Sequence, residues 1–369
     1  MSLPRHDDTA TAIAPMLTIA IVLVAVAVKV GFGAYLGGRV YPDVYRALNY
    51  GWLIAQGAFS IRSDVINDKT FLGPLLWTRV YAWAGINGLL AFNLAAFVAL
   101  CGVQYGLGRG RYDGWTRAVA LVLFAFYVGT HRNVAAGEPD DNLAALLFGL
   151  GLWIYLDTRR VLTAGLCIGV GFLFKFWVAI FGLGFAVYLA WKRPWRELGW
   201  ALGGMGLPFL ALNGIDGMAS FRALFLSVDI QSGYSGWGEL GFKLLSTGLL
   251  PMAVLTTWAW WRRRDDLTAL LCLVSIAYAV YAVVNRDAFA ASFVMMLCML
   301  FASFLLAQTL LAAVEALPRR RRARVVGAVL AAYVVLTSGV TYHNLYRDTE
   351  PIVVLQTEAA AREMFPHNY

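Results

Sequence analysis

The chain has 369 residues, 60% hydrophobic and only 14% charged, a balance outside the range of soluble globular domains. Its formal net charge of +8 is spread over clusters of Arg and Lys between apolar runs, with no single basic face, which argues against nucleic acid as a partner. The four cysteines (Cys101, Cys167, Cys272 and Cys298) lie inside apolar runs without CxxC spacing and read as small buried hydrophobes, with no disulfide framework or metal site.

In chain order, Arg5 precedes an apolar run from Ile13 to Val30 that is too long for a signal-peptide core and has no small-residue cleavage site. It reads as an uncleaved first span, about 13–33, entering from the cytoplasm. Further spans are expected at about 84–107, 118–131, 142–157, 161–174, 176–191, 199–214, 243–261, 267–284, 289–314 and 325–342, making about eleven. The pair within 161–191 is interrupted by Lys175, and is either two spans meeting at the outer face or one broken helix. The basic clusters fall between every second pair of runs. They are Arg109 and Arg111 with Arg117, Arg159-Arg160, Lys192-Arg193 with Arg196, Arg262-Arg263-Arg264, and Arg319 to Arg322 with Arg324. Short loops rich in Lys and Arg stay cytoplasmic, so the intervening excursions and the C-terminal tail, 343–369, face outward. Thirteen Trp and seventeen Tyr suit the two interfacial belts. The expected fold is an all-α polytopic membrane protein, a single domain over 1–369. An Arg-, Ala- and Gly-rich composition points to a high-GC bacterium and hence to its inner membrane.

Two outer segments are longer than turns. In the first, 36–83, Pro42 to Leu53 reads as an amphipathic helix, with Pro42 in its first turn, Val44, Leu48 and Trp52 on one face, and Gly57 as a stop. A second short helix is expected from Pro74 to Trp83. The other segment, 215–242, holds Asp216, Arg222, Asp229, Tyr234, Trp237 and Glu239 among glycines and reads as an outer loop or lid.

The candidate chemistry collects on the outer side. Asp43 is either an ordinary first-turn acid, favoured by the helix dipole, or a general base that takes a proton from an acceptor hydroxyl attacking a sugar carbon. A base must stay ionised, which a cation such as Arg46 or Arg132 would favour. Glu138, Asp140 and Asp141 stand at the mouth of a span, beside His131 and Arg132, as helix-capping acids or as a functional group of carboxylates. They are hard oxygen ligands that, with His131, would suit a divalent cation (Mg, Mn or Ca). Lys175, at the edge of an apolar run, is a snorkelling lysine or a cation for a phosphate. Arg286 beside Asp287 is a turn ion pair or a phosphate contact. Lys69 and Arg132 would complete the basic rim.

An acid soon after the first span, an outer amphipathic helix, Gly73-Pro74-Leu75, the Glu138-Pro-Asp-Asp-Asn142 run and the glycine-rich span Ala164 to Lys175 together resemble the GT-C class of integral-membrane glycosyltransferases. The resemblance covers roughly residues 13–210. It implies transfer of a sugar from a polyprenyl-phosphate-linked donor to a lipid or glycan acceptor on the extracytoplasmic face, usually with inversion. It also implies Asp43 as the base and Lys175 as a contact for the lipid phosphate. A secondary transporter or lipid flippase is the competing reading, since an intramembrane lysine and edge acids also suit a substrate or proton path.

Overall fold

The computed structural model of the protein describes residues 8–61, 70–137, 139–224, 236–246, 249–263, 265–284 and 290–352. Its helices are α1 (Asp8–Leu36), α2 (Pro42–Ala55), α3 (Leu72–Leu107), α4 (Gly114–Ala125), α5 (Val128–Ala135), α6 (Pro139–Thr158) and α7 (Val161–Phe174). They continue as α8 (Val178–Lys192), α9 (Trp195–Asp216), α10 (Trp237–Ser246), α11 (Leu249–Arg263), α12 (Asp266–Val284), α13 (Ala290–Ala313) and α14 (Arg319–Leu345). Two short strands, β1 (Arg39–Val40) and β2 (Glu350–Pro351), pair antiparallel.

The expected apolar runs fall on helices, with 118–131 divided between α4 and α5 and 243–261 between α10 and α11. By length and apolar composition, five described helices can cross a membrane: Met16–Leu36 of α1, α3, α9, Met296–Ala313 of α13, and α14. The pair α4 and α5, bent by 56°, makes a sixth if it is one span. Side chains such as Leu23, Leu207, Leu210 and Val335 are exposed on these helices, the arrangement of a bundle solvated by lipid tails.

The centre of the bundle is set by the glycines of α7. A Cβ at Gly165 would stand 2.5 Å from the carbonyl oxygen of Ala201, and one at Gly169 would collide with the backbone of Met205. Both residues lie on α9, so α7 and α9 run parallel at backbone contact. On another flank, a Cβ at Gly151 of α6 would stand 2.8 Å from the Ala164 carbonyl, and one at Gly171 would stand 3.2 Å from that of Ala144. Here α6 runs antiparallel to α7. In lipid, where tails compete equally for apolar surface, small residues that let backbones approach are what holds helices together. The glycine-rich run is therefore a packing device that fixes where the ends of α6, α7 and α9 stand.

The outer helix expected from Pro74 and the span expected from about 84 meet at Gly85, whose φ of 60° and ψ of −153° are non-helical, so α3 is two helices abutting at a kink. Two features depart from the expected pattern. The span expected at 118–131 is broken at Phe126–Tyr127, and Lys29 Nζ of α1 donates to the freed carbonyl of Ala125 at 2.6 Å. A carbonyl released inside the bilayer needs such a partner. The segment after α14 returns to the start of α2, where β2 pairs with β1 and Arg39 donates to the Thr349 carbonyl. At the far end of the bundle, Arg193, just after α8, pairs with Asp266 at 2.9 Å and donates to Tyr155 Oη at 3.1 Å. Arg111 donates to the Leu156 carbonyl there at 2.9 Å.

Replacing Gly165 by Val should lower the melting temperature of the purified protein, with a cost of about 1–3 kcal/mol from overpacking. Gly206→Ala, at a position where an added Cβ would meet nothing within 4 Å, should leave it near the wild-type value. Tryptophan fluorescence during a thermal ramp in detergent reads both, and equal melting temperatures would refute the packing role.

Candidate active site

The apolar run 161–191 forms two helices, α7 of 14 residues and α8 of 15, joined through Lys175, Phe176 and Trp177. Each is about 21–23 Å long, short of the roughly 30 Å of hydrocarbon, so neither helix alone is long enough to cross it. Lys175 leaves the helix with extended backbone (φ −148°, ψ 121°), which turns its side chain back toward α6. There Lys175 Nζ lies 3.7 Å from Asp141 Oδ1, both side chains being deeply buried at 6% and 7% exposure. Trp177 Nε1 donates to the same oxygen at 3.3 Å. An ammonium and a carboxylate out of water stand only when paired and hydrogen-bonded, and this arrangement supplies both.

Asp140, fully buried, accepts from Trp77 Nε1 of α3. Its carboxylate lies directly against Gly73, where any Cβ would collide with it. The Thr70 hydroxyl donates at 2.7 Å to the Leu173 carbonyl, tying the start of α3 to the end of α7. On its other side α3 meets α2: Thr78 Oγ1 donates to the Leu48 carbonyl at 2.9 Å, and a Cβ at Gly51 would collide with the Pro74 carbonyl. Gly73-Pro74-Leu75, Asp140-Asp141 and Lys175, far apart in the chain, thus converge at one end of the bundle.

Asp43 stands in the first turn of α2, a helix whose Val44 and Leu48 pack with Trp77, Ala135 and Ala136. The Tyr41 N–H, just before α2, donates to the Ala136 carbonyl at 3.1 Å, which holds this first turn beside the entry to α6. Asp43 is half-exposed at 46% and lies 3.8 Å from the Arg46 guanidinium. Arg132 donates to Tyr41 Oη at 2.6 Å and pairs with Asp348 at 3.1 Å. Burial pushes the Tyr41 phenol above its usual range, with the Arg132 guanidinium opposing the shift. Tyr45 donates to Glu350 at 3.3 Å, and its phenol is raised by burial first and then by that carboxylate.

His131 lies among apolar rings. Its ring packs edge-on against Phe32 and Phe126, and its Nδ1 lies 3.1 Å from Lys29 Nζ. Among the described residues no three His, Cys, Asp or Glu side chains converge as metal ligands. Glu138, Lys69 and Arg286 lie outside the described residues. Lys29, Tyr41, Trp77, Trp177 and Asp348 are the members that sequence reasoning missed. Only Lys29 carried a usable signal, a lysine close to the end of the first apolar run.

A search of curated protein sequences returned no match. The structure is similar to ArnT from Cupriavidus metallidurans bound to undecaprenyl phosphate, with a TM-score of 0.55 and 17% identity over 90% of this chain and 75% of that one. It is also similar to the archaeal oligosaccharyltransferase AglB from Archaeoglobus fulgidus in complex with an inhibitory peptide and a dolichol-phosphate. There the TM-score is 0.50 and the identity 12%, over 89% of this chain and 56% of that one. These likenesses establish the GT-C fold. The sequence profile of glycosyltransferase family 87 matches residues 71–309, from the start of α3 into the last turns of α13. That stretch contains Asp140, Asp141 and Lys175, with Asp43 just ahead of it, and the chain belongs to glycosyltransferase family 87, a membrane enzyme of the GT-C class.

Proposed function

We propose that this transferase takes its sugar from a polyprenyl-phosphate-linked donor and passes it to a lipid or glycan acceptor on the extracytoplasmic face of a bacterial inner membrane. The observation that carries this reading is the buried Lys175–Asp141 pair at the apex of two helices too short to cross the hydrocarbon. With Arg159-Arg160 and Lys192-Arg193 at the cytoplasmic boundary, the apex sits several ångströms inside the outer one. A phosphate attached to a polyprenyl tail arrives at that depth with its tail in lipid, whereas a nucleotide sugar would have to leave water. Fold likeness to proteins solved with undecaprenyl phosphate and with a dolichol-phosphate supports the same donor class.

In this reading the acceptor hydroxyl gives its proton to the Asp43 carboxylate as its oxygen bonds to the anomeric carbon. The bond from that carbon to the phosphate oxygen breaks on the opposite face, releasing polyprenyl phosphate and inverting the centre. Negative charge grows on the leaving phosphate, and Lys175 is the fixed cation that meets it. Asp141 and Trp177 hold the lysine in place, and Asp140 holds α3 and α6 together beneath α2. Arg132 fixes the first turn of α2 through Tyr41. Asp43 remains accessible to a hydroxyl because it is half-exposed, while the paired acids are closed off.

Asp43→Asn should lower turnover by about 10²–10⁴-fold, the usual contribution of a general base, without changing expression or melting temperature. Transfer of label from a panel of polyprenyl-phosphate sugars to total membrane lipid checks this. A mutant within a few-fold of wild type would remove Asp43 from the role.

Lys175→Met should destabilise the protein by about 3–5 kcal/mol because Asp141 keeps its charge in a buried site without its cation. Adding Asp141→Asn should restore most of the melting temperature while turnover stays lost. Recovery of turnover together with stability would show that the pair is structural only.

A further inference from the structure

A third buried carboxylate stands across α7 from Asp141. Ala201 meets Gly165, Met205 meets Gly169 and Phe209 meets Phe172, so α9 accompanies α7 in constant register. Continued past Phe174, that register carries α9 about 6–8 Å beyond the level of Lys175, at about 1.5 Å per residue. Phe209, Asn213 and Asp216 share one face at i, i+4 and i+7. Phe209 also meets Phe176, the neighbour of Lys175, at a ring separation of 6.3 Å, so this face is the one turned to the apex. Exposed Leu210, Gly214 and Ile215 mark the opposite face.

Asp216 is fully buried, and its two oxygens are used differently. Oδ2 accepts the Ser220 N–H at 3.0 Å and the Ser220 hydroxyl, which, with Gly217 at φ 62°, turns the chain after α9. Asn213 Oδ1 supports the same turn by accepting the Phe221 N–H at 2.9 Å. Oδ1 of Asp216 is buried with no hydrogen-bond partner among the described residues. The turn needs one oxygen, and a Ser or Asn would supply it. A second carboxylate oxygen, kept dry and without a donor, is costly unless a ligand brings the donor. On the same face of α9, Phe209 meets Phe172 and Phe176, and Phe176 adjoins the Lys175 that pairs with Asp141.

We propose that Asp216 Oδ1 accepts a hydroxyl of a sugar held over the α7–α8 apex, making Asp216 a residue that selects the glycan. The inference rests on the reading of this apex as the phosphate end of the transferase site. Aromatic rings and a buried carboxylate oxygen along one face of α9 suit a pyranose, which has an apolar face and a hydroxyl edge. The hydroxyl belongs to the donor sugar or to the acceptor glycan, and the two are separable by experiment.

Asp216→Asn keeps an oxygen for Ser220 and replaces the free acceptor with an N–H donor. Binding is read by tryptophan fluorescence with three probes: a polyprenyl-phosphate hexose, bare polyprenyl phosphate, and a panel of methyl hexosides. The expected result is a loss of about 10- to 100-fold on one sugar-bearing probe, with bare polyprenyl phosphate unchanged, as for removal of a hydrogen bond to a charged group. Loss on the lipid-linked hexose alone assigns the donor sugar, and loss on the methyl hexosides assigns the acceptor. Ser220→Ala removes a cap partner and leaves Oδ1 intact, so it should keep sugar affinity. Unchanged affinity for every sugar probe in Asp216→Asn overturns the proposal, as does the same loss in Ser220→Ala. Failure of bare polyprenyl phosphate to bind wild type would count against the lipid-phosphate reading, while the methyl hexosides still decide the role of Asp216.

Discussion

The buried pair of Lys175 and Asp141 constrains everything around it. Two charges removed from water at a helix break are tolerated only if their geometry is fixed and their remaining hydrogen-bonding capacity is met. Fixing it requires that the start of α6 and the end of α7 stand at one level, and the glycine contacts between these helices set that level. Trp177 closes the pair from the α8 side, and Thr70 ties α3 to the residue two before the lysine. The close packing of the bundle and the chemistry at its end are therefore one requirement. Any change that lets α6 and α7 slide would separate the charges before it disturbed the apolar core.

The division between the two ends of the bundle follows from the same economy of charge. At the far end, Arg193, Arg159 and Asp266 with Tyr155 form a network that is partly exposed and spans several helices. Such exposed pairs contribute little individually, and they lace helix ends together. At the near end the Lys175–Asp141 pair is dry, while Asp43 with Arg46 and Arg132 with Asp348 stay partly exposed. Lys29 belongs to neither group: it is fully buried, bonds the carbonyl freed where α4 breaks, and approaches His131. It stabilises the 56° bend that directs α5 and Arg132 toward the start of α2.

Much of this was legible in the sequence where charge and apolar periodicity coincide. The bounds of α7 match the expected 161–174 because Arg159-Arg160 and Lys175 delimit it, and a charged residue ends a lipid-facing run sharply. Helix α2 was readable from Pro42 and the spacing of Val44 and Leu48, whose burial needs nothing beyond one face. Lys175 and the Asp140-Asp141 run were singled out as edge charges, but their meeting was not readable, because 34 positions of chain separate Asp141 from Lys175 and only the glycine packing sets the register. The return of the segment after α14 onto β1, and the pairing of Arg132 with Asp348, depend on contacts more than two hundred residues apart. The intramembrane lysine and edge acids alone fit a transporter as well as a transferase, and membership of glycosyltransferase family 87 decides between them.

The exposure of the carboxylates completes the assignment of roles. A general base must meet a hydroxyl arriving from water and release the proton to water afterward, so a fully enclosed carboxylate is a poor one. Asp140 and Asp141 are enclosed and already serve an indole and an ammonium, so their charge is committed to holding structure and cation. Asp43 is half-exposed, sits on a helix packed over α3, and has a guanidinium within 4 Å that favours its charged form. Asp216 is enclosed like these acids, and its Oδ1 has no hydrogen-bond partner among the described residues. In the reading proposed above, such an oxygen would serve recognition of a hydroxylated ligand, with proton transfer at Asp43 and charge compensation at Lys175.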